Sequence, residues 1–237
     1  MMQAKQIFGF LKDIAANNNR PWFLSHRDEY LACRAAFEQA VDQFIAALSA
    51  FDAGIIHLTG KECCFRFYRD TRFSPDKAPY KRHFSAYVCA HGKKALRGGY
   101  YLHMQPGMSV IATGAYTLPT NILTSCRNEI MGNIDEWRRA VESKAFVEYF
   151  GRPNEGHWTR GDLSSKGFGM EALKSVPKGF PRDYEHLNYL RMKDYVAWRT
   201  VPDSCFETDE WLDDSLKHIK AAKPMMDIIN AVIDDYE

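Results

Sequence analysis

Cationic side chains are unusually dense between residues 66 and 83 of this 237-residue chain. The run Arg66-Phe67-Tyr68-Arg69-Asp70-Thr71-Arg72-Phe73 is followed by Asp76, Lys77, Tyr80, Lys81, Arg82 and His83. Guanidinium is planar and offers a fork of N–H donors, so it suits bidentate recognition of carboxylate or phosphate. In a ligand-binding reading Arg66, Arg69 and Arg72 hold an anion, Lys77 and Lys81 add charge, and Asp70 belongs to the same candidate binding set. Tyr80, or His103 on a neighbouring strand, then handles a proton. The opposing reading is architectural: the arginines pair with Asp70 and Asp76 and pin the loop between Thr71 and Pro79.

Alternation sharpens the choice. If residues 62–70 form a strand, Phe65, Phe67 and Arg69 share one face and Arg66, Tyr68 and Asp70 the other. Arg69 and Asp70 then point apart and cannot simply neutralise each other. The arginines serve one ligand only if the following loop folds back, which favours Arg69, Arg72 and Lys77 as site residues. A third reading uses Phe65, Phe67, Tyr68, Phe73, Tyr80 and Tyr87 as a stacking platform for single-stranded nucleic acid. The near-neutral net charge of +1 ranks that below a small anionic ligand.

The pattern Arg66-x-x-Arg69-Asp70-x-Arg72-Phe73-x-x-Asp76-Lys77-x-x-Tyr80 resembles the signature of the bacterial and fungal family catalogued as domain of unknown function 2461. The stretches Asn18–Phe23, Gly99–His103 and Pro177-Lys178-Gly179-Phe180 are also similar to that family, so the resemblance extends over most of the chain. It implies that the eight motif residues are a family signature. It implies no activity, and whether the protein is an enzyme is left open.

Other motifs point away from common enzyme classes. Gly54–Lys61 has the wrong spacing for a phosphate loop, with Glu62 where Ser or Thr is needed. Gly167 and Gly169 make no dinucleotide fingerprint, and Gly-x-Ser-x-Gly and His-Glu-x-x-His are absent. Lys178, Arg182, Asp183 and His186 form a second polar knot, which helix capping by Asp183 explains. The six cysteines have no zinc-ligand spacing and read as reduced, buried thiols. No metal and no cofactor is expected.

These residues need a scaffold, and the composition supplies one. With 46% hydrophobic and 26% charged residues the chain is an ordinary globular sequence, long for one domain and short for two; a single domain over 1–237 is the expectation. The N-terminal run lacks the apolar core of a signal peptide and no stretch is long enough to span a membrane, so a soluble, cytoplasmic protein is expected. Charge is polarised: residues 61–105 carry a balance of +7, residues 207–237 one of −6. Oligomeric state is not legible.

Helical periodicity predicts a helix over 5–16, then a second of about seven turns capped by Asn19, with the stripe Phe23, Tyr30, Cys33, Phe37, Val41, Phe44 and Leu48. The period then changes. Residues 62–70, 83–89, 99–105 and 109–116 read as strands joined by short turns, and 192–200 as a fifth. Helices are expected at 118–131, 134–150, 207–223 and 224–236, with a long irregular connection over 151–180. The sum is an α+β fold, a meander-like antiparallel sheet of four to five strands packed against several helices.

Overall fold

A computed structural model describes residues 3–153, 165–208 and 210–236. Among them the chain forms nine α-helices and a five-stranded antiparallel sheet, the expected α+β arrangement. The strands are β1 (Phe84–Val88), β2 (Gly99–Met104), β3 (Ser109–Ala115), β4 (Lys166–Phe168) and β5 (Tyr195–Val201), in the order β1-β2-β3-β5-β4. The consecutive β1-β2-β3 run is the meander that the short turns predicted. No helix among the described residues is long and apolar enough to cross a membrane. The packing divides into two compact units, residues 1–93, 101–110 and 201–216, and residues 94–100, 111–200 and 217–237.

In the first unit α1 (Ala4–Ala16) buries Ile7, Phe8, Phe10, Leu11 and Ile14 on one face. Asn17 stops it, turning its side-chain amide back onto the Asp13 carbonyl at 3.0 Å. Asn19 then caps α2 (Arg20–Ser25) by accepting the Trp22 N–H at 3.0 Å, with Pro21 in the first turn. The predicted seven-turn helix is in fact two. His26 leaves helical geometry, stacks on Trp22 at 3.9 Å and bonds the Trp22 carbonyl through Nδ1, so α3 (Arg27–Leu48) starts afresh. The expected stripe of α3 is buried from Cys33 to Leu48.

Residues 62–70 are not a regular strand. Thr59-Gly60-Lys61-Glu62 closes a capping box, which winds α4 (Gly60–Cys63) into the front of the segment. Gly60 is required there: a Cβ would stand 2.1 Å from the Glu38 carbonyl oxygen of α3. Beyond Cys64 the chain is extended and runs antiparallel to 79–86 through three backbone bonds of 2.9 Å, Phe65 N–H to Ser85, Lys81 N–H to Phe67 and Arg69 N–H to Pro79. The register slips by two residues between the Cys64–Ala86 and Tyr68–Tyr80 pairings, so only these isolated bridges form; Pro79 has no N–H to return to Arg69. The alternation survives. Phe67 is buried while Arg66, Tyr68 and Asp70 are exposed.

The second unit has its own core, in which Trp137 meets Tyr189 and Tyr195 edge-on and Phe146 meets Phe168 at 4.9 Å. Its helices include α5 (Thr120–Gly132), α6 (Ile134–Val141), α7 (Lys144–Phe150) and the short α8 (Leu187–Arg191). The predicted helix over 134–150 breaks at Glu142, and Ser143 caps α7 by accepting the Phe146 N–H. Strand β4 was not expected, since it is three residues long and centred on a glycine. Gly167 pairs with Trp198 of β5, whose ring occupies the place a Cβ would take. Of the expected irregular connection, residues 154–164 lie outside those described. The two expected terminal helices are one, α9 (Trp211–Asp234). Pro224 sits inside it, and burial of Ile219, Ala222, Met225 and Ile229 on either side offsets the missing hydrogen bond.

Candidate functional site

The candidate residues of the first unit divide into a surface loop and a buried polar strip. In the loop, Arg69 Nη1 donates to Asp76 Oδ2 at 2.8 Å and to the Ala78 carbonyl at 3.0 Å, while Nη2 reaches Ser74 Oγ. Arg72 grips Asp70 with both Nε and Nη2, at 3.0 and 2.7 Å. Lys77 Nζ closes onto the Thr71 carbonyl. Asp76 accepts the Ala78 N–H, and Arg82 lies 3.8 Å from its carboxylate. The bond from Arg72 holds the Asp70 carboxyl below the usual range; Asp76 is held down by the Ala78 N–H and then by Arg69. Asp70 and Arg72 meet because the chain turns there: the Arg72 N–H also bonds Asp70 Oδ1, at 3.2 Å, which folds the Arg72 side chain back onto the carboxylate.

Tyr80 is a core residue. Its ring stacks on Phe23 at 4.0 Å, and its backbone N–H and C=O are both bonded by the Asn18 side chain. Burial raises the phenol pKa. The family-like stretch Asn18–Phe23 therefore positions the arginine hairpin through Asn18 and Phe23.

Arg66 and Lys81 differ from the loop arginines. Arg66 is exposed and makes no hydrogen bond or ion pair among the described residues, though its charge acts on both Asp70 and Lys81. Lys81 is half-buried, with its ammonium 5.3 Å from the centre of the Phe65 ring. Burial, then the charges of Arg66 and Arg34, loosen its proton. Arg34, on α3, was not anticipated. It donates Nη1 to the Phe65 carbonyl at 2.6 Å and pairs with Glu38 one turn on. An arginine on the polar side of a helix reads as solvated, and only the fold turns it toward the hairpin.

Next to Lys81 lies the polar strip. His83 precedes β1 and His103 stands on β2, and their rings lie 4.2 Å apart. Tyr101 OH is 2.9 Å from His103 Nδ1, and His103 Nε2 is 3.2 Å from Gln105 Oε1. Ser85 bonds the Tyr101 hydroxyl from β1. Gln105 Oε1 can only accept, which assigns the His103 proton to Nε2 and leaves Nδ1 to receive from Tyr101. The result is a directed chain, Ser85 to Tyr101 to His103 to Gln105. Burial, with help from His103 and Lys81, pushes His83 down to about 3; burial pushes His103 down to about 4. Both imidazoles are neutral at pH 7, so His103 is a hydrogen-bonding group there and not a stored acid.

The second polar knot is not a cap. Helix α8 begins after His186 with no side-chain bond at its N-cap, so Asp183 does not close it. Among the described residues no group of three or more His, Cys, Asp or Glu is placed to hold a metal ion.

A model of the family described as conserved hypothetical protein (DUF2461) matches residues 6–228, and the chain belongs to that family. No curated protein and no solved structure matches the chain.

Proposed function

We propose that this family member binds a small phosphate- or carboxylate-bearing ligand beside the arginine hairpin of its first unit, with Arg66 and Lys81 as the anion-holding pair. One observation carries the reading: Lys81 is drawn partly out of water next to the like charges of Arg66 and Arg34, and Glu38 answers only Arg34. Holding unbalanced cations together costs free energy, and a bound anion returns it. The same anion would favour a proton on the His83–His103 pair. In this reading Arg69, Asp70, Arg72, Asp76 and Lys77 shape the loop, and Arg69 and Arg72 reach the ligand only by exchanging their carboxylates.

Thermal shift and titration calorimetry with inorganic phosphate and citrate, against chloride at matched ionic strength, test it. Saturation at a hundred times Kd corresponds to about 2.7 kcal/mol of added stability. Arg66→Ala and Lys81→Met should remove that gain while leaving the fold intact. If phosphate and citrate do no more than chloride, or both variants respond as the parent does, the reading fails.

The loop itself favours a second reading, an architectural arginine–carboxylate lattice. Its specific support is that both carboxylates are already engaged, Asp70 by Arg72 and Asp76 by Arg69. A parent protein insensitive to anions whose melting temperature falls on Arg69→Ala would leave this reading standing alone.

A further inference from the structure

The second unit holds a cavity of about 820 Å³ that no motif announced. It lies where β3 ends and β5 begins, with one face of α5 as a wall: Thr120, Leu123, Thr124 and Arg127 recur at helical spacing along it. Leu118, Leu173 and Pro177 make the apolar part of the lining.

Arg127 is the unusual member. It is only 4% exposed, yet its guanidinium is not answered by a carboxylate within ion-pair distance among the described residues. Nε donates to the Leu190 carbonyl at 2.6 Å and Nη2 to the Met192 carbonyl at 2.9 Å. These neutral acceptors fix the side chain and leave Nη1 without a hydrogen bond among the described residues. Burial lowers the Arg127 pKa, as expected for a cation whose charge is not balanced nearby. Buried charges in folded proteins are normally paired. Here the unpaired one borders a cavity.

The other charged groups fix the size of the missing charge. Lys178 and Lys193 join Arg127 as cations; Glu171 and Asp194 are the carboxylates, with Lys193 bonded to Glu171 at 3.1 Å. Three cations against two carboxylates leave one positive charge. Both Asp194 oxygens already accept backbone N–H groups, from Met170 and Glu171, so its position is fixed and it cannot swing onto Arg127. A dianion would be repelled by it.

We infer that this cavity is a binding site for a small organic monocarboxylate, its carboxylate held by Arg127 and its body against Leu118, Leu123 and Leu173. Pro177, Lys178 and Gly179 also line it, which gives that family-like stretch a role the arginine hairpin does not explain.

The test is saturation-transfer NMR and calorimetry on the full chain with benzoate, lactate and phenylacetate, with phenyl phosphate as the dianionic comparator. At least one monocarboxylate should bind at millimolar concentration or below, and more tightly than phenyl phosphate. Arg127→Lys keeps the charge and loses the fork, and should weaken binding about tenfold. Thr124→Trp leaves the Arg127 bonds in place and sets an indole into the cavity one helical turn from Arg127; it should abolish binding even if Arg127→Lys does not fold. No binding by any of the three, equal binding to Thr124→Trp, or tighter phenyl phosphate would overturn the assignment.

Discussion

Acidification from pH 7 to pH 5 should destabilise the protein through His103. An exposed histidine titrates near 6.5, and burial pushes His103 down to about 4. Between those values the unfolded chain holds a proton that the folded chain refuses, so stability is full above about 6.5 and is lost as pH falls toward 4. From pH 7 to pH 5 the loss attributable to this one residue is about 2 kcal/mol. His83 adds a loss of the same sign, reduced by its partial exposure and by its dependence on His103. Asp194 works in the other direction: burial raises it to about 6, so the folded state binds a proton first and gains about 1 kcal/mol over the same interval. The wild-type slope is therefore a difference, and the variant isolates the term. Urea unfolding at pH 7 and pH 5 of the parent and of His103→Gln measures it. The variant should lose about 2 kcal/mol less than the parent on acidification, whatever its stability at pH 7. Parallel slopes would mean that His103 is not held neutral by burial, and the reading of the polar strip would fall with it.

Three further outcomes follow from the geometry. Arg69→Ala removes three hydrogen bonds from a side chain 25% exposed and should cost about 1–2 kcal/mol, whereas Arg72→Ala, on a side chain 76% exposed, should stay within about 0.5 kcal/mol; melting curves separate the two. Gly60→Ala drives a Cβ into the Glu38 backbone carbonyl, which has no rotamer to yield, and should cost at least about 2 kcal/mol by urea titration. Titration with single-stranded oligonucleotides at two salt concentrations should be flat; a salt-dependent signal would instead assign the hairpin to nucleic acid, with Tyr68 and the 92%-exposed Phe73 as stacking groups.

Where one local rule governed, the fold was legible. The apolar stripes of α1 and α3, the Asn19 cap and strands β1, β2, β3 and β5 all follow from periodicity and turn chemistry. Errors fell where two rules competed. Residues 62–70 have the β-propensity of Phe65, Phe67 and Tyr68, but the capping box at Thr59 and Glu62 takes the first residues and a two-residue slip of register breaks the ladder. The apolar period runs uninterrupted through His26 and through Glu142–Ser143. Nothing in that period reports that His26 will prefer the Trp22 ring, or that Ser143 will start a new helix. Pro224 misled in the opposite sense, because the burial that carries α9 past it is tertiary.

The candidate sites show the same limit more sharply. Parity along an extended chain predicts that Arg69 and Asp70 diverge; the pairing of Asp70 with Arg72 instead depends on the turn that the Asp70 side chain makes with the Arg72 N–H. Burial was not implicit. The loop lattice is a surface feature, so its pairs contribute far less than a buried network, and attention moves from the motif's most conspicuous arginines to Arg66 and the half-buried Lys81. Arg127 has no pattern around it at all. It reads as a cation on a helix, and its consequence depends on carbonyls more than sixty positions away and on carboxylates that are tied to other partners. A charge acquires functional meaning when the chain buries it and withholds its counter-ion. That is a property of three-dimensional accounting, which neighbouring residues in a sequence do not record.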